Sequence, residues 1–348
     1  MSMRHVLSSF SSRRKNGALT ARILVIGATM LLGAGIAPAE TLRLSTLKMP
    51  GSDSVKALEE FKAKVAADTN GRVEIKIYPA SQLGDWTEVY EQVIQGSVDM
   101  ALQSLSSADD RRLAITWFPY VFTDYKSAET SLSPGGTAFE IVNGIVADKG
   151  ITLLAVYGTG LGGAGFSKPV NAPEDPDAKH NLKVRVWQGG TTHRVMLERL
   201  GYNVATLAYS ELYTGMQTGV VDGQIGGTAQ MALDAFKDVT KTWIQYNDHY
   251  EHDWLFINSG KLASLSPEDQ KVIRKYAAEM AAKRFAETKA AEDAALAEMR
   301  KLGITVVTFD PATLDTIVKV VRREVWPKIV GEVGDDIMAR LKQSLNIE

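Results

Sequence analysis

The chain has 348 residues, of which 45% are hydrophobic and 23% charged, a formal net charge of −2 and no cysteine. That length allows two domains of ordinary size, each with its own core, and the slightly negative mean hydropathy excludes a polytopic membrane protein. Without cysteine there are no disulfides, thiolate zinc sites or cysteine nucleophiles, a composition that suits an oxidising compartment.

Residues 1–39 differ from the rest. Arg4, Arg13, Arg14, Lys15 and Arg22 stand there without an acidic residue, the apolar run Ile23–Ile36 follows, and Ala37-Pro38-Ala39 precedes Glu40. A basic head, an apolar run and an A-x-A site make a cleavable signal peptide, predicted to be cut after Ala39; the run is short for a membrane anchor. Taking its five basic groups from the 39 Lys and Arg leaves 34 against 41 Asp and Glu, a net charge near −7. No basic stripe remains to neutralise phosphates, which excludes a nucleic-acid partner.

Beyond the leader, short β-rich runs alternate with amphipathic helical runs, the pattern of α/β architecture. Strands are predicted at 42–46, 73–78 and 98–103, with helices at 55–67 and 86–95 and a turn at Asn70-Gly71. A second series begins near Ile151, with strands at 151–157 and 183–187 and helices at 191–200 and 210–218. Pro169, Pro173 and Pro176 mark 171–181 as a loop or hairpin crossing. Residues 87–99 (TEVYEQVIQGSVD) and 210–222 (SELYTGMQTGVVD) share Glu88/Glu211, Tyr90/Tyr213, Gly96/Gly219, Val98/Val221 and Asp99/Asp222 at a constant offset of 123. Each window reads as a helix closed by glycine and then a strand, so the two halves are expected to be similar sheets. Finally, Pro267–Leu302 holds no glycine and no further proline. Ser266 is its N-cap, Asp269 is expected to complete a capping box, and Gly303 stops it. At about 1.5 Å per residue it reaches about 50 Å, enough to span both lobes.

Few residues carry enzyme chemistry. Gly158-Thr-Gly160-Leu-Gly162-Gly163 matches a dinucleotide fingerprint, but Phe166-Ser-Lys-Pro169 follows where a helix should start. His249, Glu251 and His252 could ligate a metal from a helix; on the strand suggested by 246–258 the two histidines, three apart, point to opposite faces, so solvated or hydrogen-bonded histidines are expected instead. Leu182–Trp187 stands out: Val184 and Val186 alternate with Lys183, Arg185 and Trp187, and Gln188-Gly189-Gly190-Thr191 opens a helix. An arginine fork beside a helix N-terminus suits a carboxylate or sulfonate. Taken alone, these residues still favour an ordinary surface arginine.

The chain resembles the substrate-binding subunits of tripartite ATP-independent periplasmic (TRAP) transporters, of the dicarboxylate-binding type. The resemblance rests on Gln82-Leu83-Gly84, Gln95-Gly96-Ser-Val-Asp99-Met100, Trp117-Phe-Pro119-Tyr-Val-Phe122, Leu182-Lys-Val-Arg185 and Glu211–Gln224, in order along the mature chain. It implies a two-lobed, type II-like α/β binding protein with hinge strands and a bracing helix. Lobe I would hold 40–160 and about 251–285, lobe II 161–250 and about 286–335, and the helix about 267–302 would span both. It further implies a monomer in the periplasm without cofactor, metal or enzymatic activity. Such a protein closes over a small organic anion and delivers it to a small and a large membrane subunit, driven by an ion gradient. Arg185 takes the place of the arginine that forks onto the ligand carboxylate. Two departures stand out: Leu161–Phe166 lacks the second arginine many relatives carry, and Asp222-Gly-Gln-Ile-Gly-Gly-Thr228 lacks the usual Asn-Pro. Trp187, Gln188, His193, Gln224 and Gly162 are therefore expected to add contacts, with Ser104, Ser106, Ser107 and Trp86 from the opposite lobe. A carboxylate is the expected ligand, with an organosulfonate second and an aromatic acid third; a sensor using the same cleft is the alternative role.

Overall fold

The computed structural model describes residues 39–347; the leader lies outside them. β1 (Glu40–Ser45), α1 (Asp53–Asp68), β2 (Val73–Tyr78), α2 (Trp86–Ile94) and β3 (Met100–Gln103) open the fold. A 3-10 segment (Arg111–Trp117), α3 (Tyr125–Leu132) and α4 (Thr137–Ala147) follow. β4 (Ile151–Leu161) runs through Gly162 into β5 (Gly163–Phe166). Then come β6 (Lys183–Val186), α5 (Thr191–Arg199), β7 (Asn203–Thr206), α6 (Tyr209–Thr218), β8 (Gly223–Gly227) and α7 (Ala229–Phe236). β9 (Thr242–Gln245) precedes β10 (Tyr250–Asn258) and α8 (Ser259–Ser264). The chain ends with α9 (Pro267–Lys301), β11 (Thr305–Thr308), α10 (Pro311–Glu324), α11 (Trp326–Val333) and α12 (Asp335–Leu345).

Among the described residues eleven strands form two sheets, ordered β2-β1-β3-β10-β4 and β11-β9-β5-β8-β6-β7. Three parallel strands in each (β2, β1, β3 and β7, β6, β8) meet an antiparallel pair (β10, β4 and β5, β9). The sheets therefore share a plan, to which β11 adds an edge strand. Both members of the echo fall at the same place in that plan. Gly96 and Gly219 take φ of +75° and +77°, the left-handed conformation that ends a helix. Asp99 Oδ2 accepts from Arg43 N in β1 at 2.7 Å, and Asp222 Oδ2 accepts from Lys183 N at the start of β6 at 2.9 Å. Each carboxylate thus fastens its own strand to the neighbour on which the parallel ladder begins.

Three connections pass between the sheets: two short ones, β4 into β5 at Gly162 and β9 into β10 through Tyr246–His249, and the long one from β10 through α8 and α9 to β11. The two short ones are bonded to each other where they cross, Gly162 N donating to His249 O and Asn247 N to Gly162 O, both at 2.8 Å. α9 braces this crossing. Ile273, Ala277 and Met280 pack with the core of the first sheet, while Ala295, Leu296 and Met299 pack with Trp243 of the second. Midway, Arg284 Nε donates to Gly158 O at 2.8 Å and Glu292 accepts from Leu161 N at 2.7 Å. The long apolar-faced helix thus seals both cores and clamps the strand that joins them. α10 to α12 then turn back toward the first sheet's side, where Trp326 Nε1 donates to Pro119 O at 2.8 Å.

The helix start differs from expectation in one detail. Ser266 caps α9 through Asp269 N at 3.1 Å, but the Asp269 carboxylate pairs with Arg72 at 2.6 Å instead of closing a capping box. A cation within reach outcompetes the N-cap amide for a carboxylate. The reciprocal box occurs at α2, between Asp85 and Glu88.

Asp99→Ala and Asp222→Ala should each lower stability by about 1–3 kcal/mol, the value of a bond to a charged acceptor. Urea unfolding of the two single variants and the double should give additive losses, because the carboxylates serve separate sheets.

Candidate functional site

The alternation along β6 decides the site. Val184 and Val186 enter the core, and the residue between them emerges at the C-terminal edge of the parallel strands, where open α/β sheets bind ligands. Arg185 there is 3% exposed. Its Nε donates to Leu207 O at 2.9 Å and its Cζ lies 5.9 Å from the Tyr209 ring centre, a cation–π contact. Nη2 is buried without a hydrogen-bond partner, and no carboxylate among the described residues pairs with this guanidinium. Burial pushes its pKa down to about 10, the mark of a charge that has lost water and gained no counter-ion.

Arg185 lines a narrow cleft between the two sheets. Trp86, Trp117, Trp187 and Tyr209 make its aromatic walls, with Trp117 and Trp187 centred 5.2 Å apart and Trp86 and Trp117 6.1 Å apart. Trp187 lies against Gly226, where any Cβ would collide with the indole, so the missing side chain makes room for this wall. Trp187 Nε1 is a second buried donor without a partner. Opposite, β10 directs Glu251 and Asp253 inward, and Lys48, just beyond β1, joins them. Lys48 Nζ is 2.9 Å from Asp253 Oδ2 and 3.6 Å from Met231 Sδ of α7. Desolvation raises the Asp253 pKa to about 6 despite Lys48. The cleft mouth is bridged by Ser107 Oγ donating to Gly189 O at 3.2 Å and by Ser210 Oγ donating to Asp85 Oδ2 at 3.3 Å.

Behind the cavity, at the strand crossing, lies a buried ion network. Asp248 Oδ2 accepts from His193 Nε2 at 2.8 Å and from His249 Nδ1 at 2.6 Å, and His249 Nε2 donates to Glu251 Oε2 at 2.7 Å. Trp117 Nε1 also donates to that oxygen, at 3.1 Å. Although burial opposes its charge, His249 is pushed up to about 10 by the carboxylates of Asp248 and Glu251, and it holds Asp248 well below the usual carboxylate range. His193 is lowered by burial and is therefore the neutral partner. His193, Asp248 and His249 bring ligand atoms within 4.8 Å of one another. An imidazolium held between two carboxylates has no lone pair for a metal, so the cluster is an ion network that stiffens the crossing.

These features match a known architecture. The family of bacterial extracellular solute-binding proteins, family 7 (DctP), matches residues 44–331. The chain belongs to this family. It is 27% identical over 332 residues to the C4-dicarboxylate-binding periplasmic protein DctP of Rhodobacter capsulatus, covering 93% of this chain and 96% of that protein. Among solved structures, the sugar acid binding protein DctPAm of Advenella mimigardefordensis in complex with galactonate aligns with a TM-score of 0.80, 19% identity and coverage of 88% and 98%. A TRAP periplasmic solute binding protein from Desulfovibrio salexigens with bound orotic acid gives 0.79, 21%, 88% and 98%.

In this solute-binding protein the residues expected from sequence separate into three groups. Arg185, Trp187, Trp86 and Ser104 line the cavity. Gln188 sits exposed at the mouth, beside Asp85 and Glu211. His193, Gln224, Gly162 and Ser106 do not reach the lining. His193 is spent on Asp248, and Gln224 is buried in β8 beside Gly165. Gly162 lets the His249 ring approach the crossing, and Ser106 is fully buried behind Ser104 with its Oγ unpartnered. His249 and His252 diverge as expected on a strand, His252 donating from Nδ1 to Tyr250 O at 2.7 Å. Sequence reasoning missed Lys48, Trp117, Tyr209, Glu251 and Asp253. Glu251 and Asp253 did carry a signal, two acids at alternate positions just before the apolar run Trp254–Ile257 of the same strand.

Replacing His249 with Gln should cost about 3–5 kcal/mol, as when a buried ion pair loses one member. A group whose pKa rises from 6.5 to about 10 on folding adds stability that is complete below pH 6.5 and lost as pH approaches 10. Denaturation of the wild type should therefore show stability declining across that window, and the His249→Gln protein should show a flatter profile.

Proposed function

We propose that this chain is the periplasmic receptor of a TRAP transporter, holding a small organic acid by its carboxylate on Arg185 and delivering it to the two membrane subunits. The observation that carries this reading is a buried guanidinium lining the cleft between the sheets, with Nη2 unpartnered and no carboxylate among the described residues paired to it. A lone desolvated cation is costly, and a bound carboxylate is the partner that offsets it. The neighbouring donor on Trp187 supplies a second hydrogen bond, which suits the two oxygens of a carboxylate better than the three of a sulfonate. The relatives support the same class: one bears the name of a C4-dicarboxylate-binding protein, and two solved structures hold galactonate and orotic acid.

In this reading residues 1–39 are the export signal. Residues 40–160 with about 251–285 form one lobe, and 161–250 with about 286–335 the other. The lobes rotate about the β4–β5 and β9–β10 crossings, which leaves the mouth contacts of Ser107 and Ser210 to break on opening. The protein binds without turnover: the acids and histidine nearest the ligand are engaged in ion pairs, with Lys48 on Asp253 and His249 on Glu251.

Arg185→Ala should weaken binding of the acid by about 2–5 kcal/mol, roughly 30-fold or more. Because it also removes an unpaired buried charge, the ligand-free variant should melt at or above the wild type. A thermal-shift screen over carboxylates followed by calorimetry checks both points. Wild-type affinity in the variant would refute the assignment.

A further inference from the structure

Hydrogen-bonding atoms left without partners are sorted by type along the cavity. At one end they are donors, Arg185 Nη2 and Trp187 Nε1; at the other they are acceptors, the oxygens of Asp253, which is 1% exposed. Asp253 Oδ2 lies 2.9 Å from Lys48 Nζ, so Oδ1 is the free acceptor. Tyr209, which lines the same cleft, feels the charges of Lys48 and Arg185 as well as those of Asp253 and Glu251. The Arg185 charge, by contrast, is influenced by Tyr209 and Asp85, with the β10 acids too remote to contribute. The two ends are therefore separate subsites within one cavity.

Building on the carboxylate at Arg185, we infer that Asp253 makes this cavity selective for hydroxymonocarboxylates: the acid group sits on Arg185 and Trp187, and a hydroxyl donates to Asp253 Oδ1. A dicarboxylate fits poorly. Its second anion would meet Asp253 and Glu251, while Lys48, the cation at that end, is already shared by those two acids. An ammonium fits poorly for the converse reason, since it would crowd Lys48. A hydroxyl is a neutral donor and satisfies Oδ1 without adding charge. An acid with no such donor would bury that oxygen unpaired, which is expensive.

The test is calorimetry on the full-length mature protein with matched straight-chain acids of three to six carbons. Each length supplies the plain monocarboxylate, the ω-hydroxy acid and the dicarboxylate. The hydroxy acid of the best length should bind about tenfold or more tighter than either companion. In Asp253→Asn, the amide oxygen remains toward Lys48 and the amide NH2 takes the place of Oδ1, turning the acceptor into a donor and removing its charge. The variant should therefore gain affinity for the dicarboxylate and lose the preference for the hydroxy acid by about tenfold, a gain that a misfolded protein cannot show. A wild type that binds the dicarboxylate or the plain acid best overturns the Asp253 assignment and leaves Arg185 in place. Failure of every acid to bind, or binding unaffected by Arg185→Ala, overturns the underlying carboxylate reading instead.

Discussion

A guanidinium taken out of water with no anion to meet it is the feature around which this protein is arranged. Folding alone gives Arg185 one carbonyl and the face of a tyrosine, and leaves Nη2 buried without a hydrogen-bond partner. Most buried charges in proteins are neutralised by a neighbour in the same chain. Here that neighbour is withheld, so the native state carries a buried charge without an ion-pair partner, and under the proposed function an exogenous carboxylate would be that partner.

The remainder of the fold can be understood as what keeps that charge isolated. The acids of β10 that line the same cleft are each engaged elsewhere: Asp253 by Lys48, Glu251 by His249 and Trp117. Asp248 and His193 close the chain of ions behind them at the crossing of the two connecting strands. The same bonds stiffen the place where the lobes join, while α9 clamps that crossing from outside through Arg284 and Glu292. Electrostatic segregation and mechanical bracing therefore use the same residues.

Much of the architecture was legible in the order of residues. Alternation at 183–187 located β6 and turned Arg185 away from the core, the spacing of helix formers between Ser266 and Gly303 outlined α9, and the echo at offset 123 announced the matching sheets whose Asp99 and Asp222 act alike. What lay beyond reach were features made by distant segments meeting. Lys48, Trp117, Tyr209 and Asp253 are far apart in sequence, and no local period marks them as neighbours. His193 and Gly162 lie away from the cleft lining for a related reason. Their types suit a binding wall, but the crossing strands draw them into the hinge, where Asp248 and the His249 ring occupy them.

The most direct measurement is the side-chain nitrogen NMR signal of Arg185, assigned by its disappearance in Arg185→Lys and followed as a bound carboxylate is added. The account predicts a large shift and slowed rotation of the Nη groups, because the acid would engage Nη2, which has no partner before. An Arg185 signal that stays unchanged while the protein saturates with ligand would contradict it.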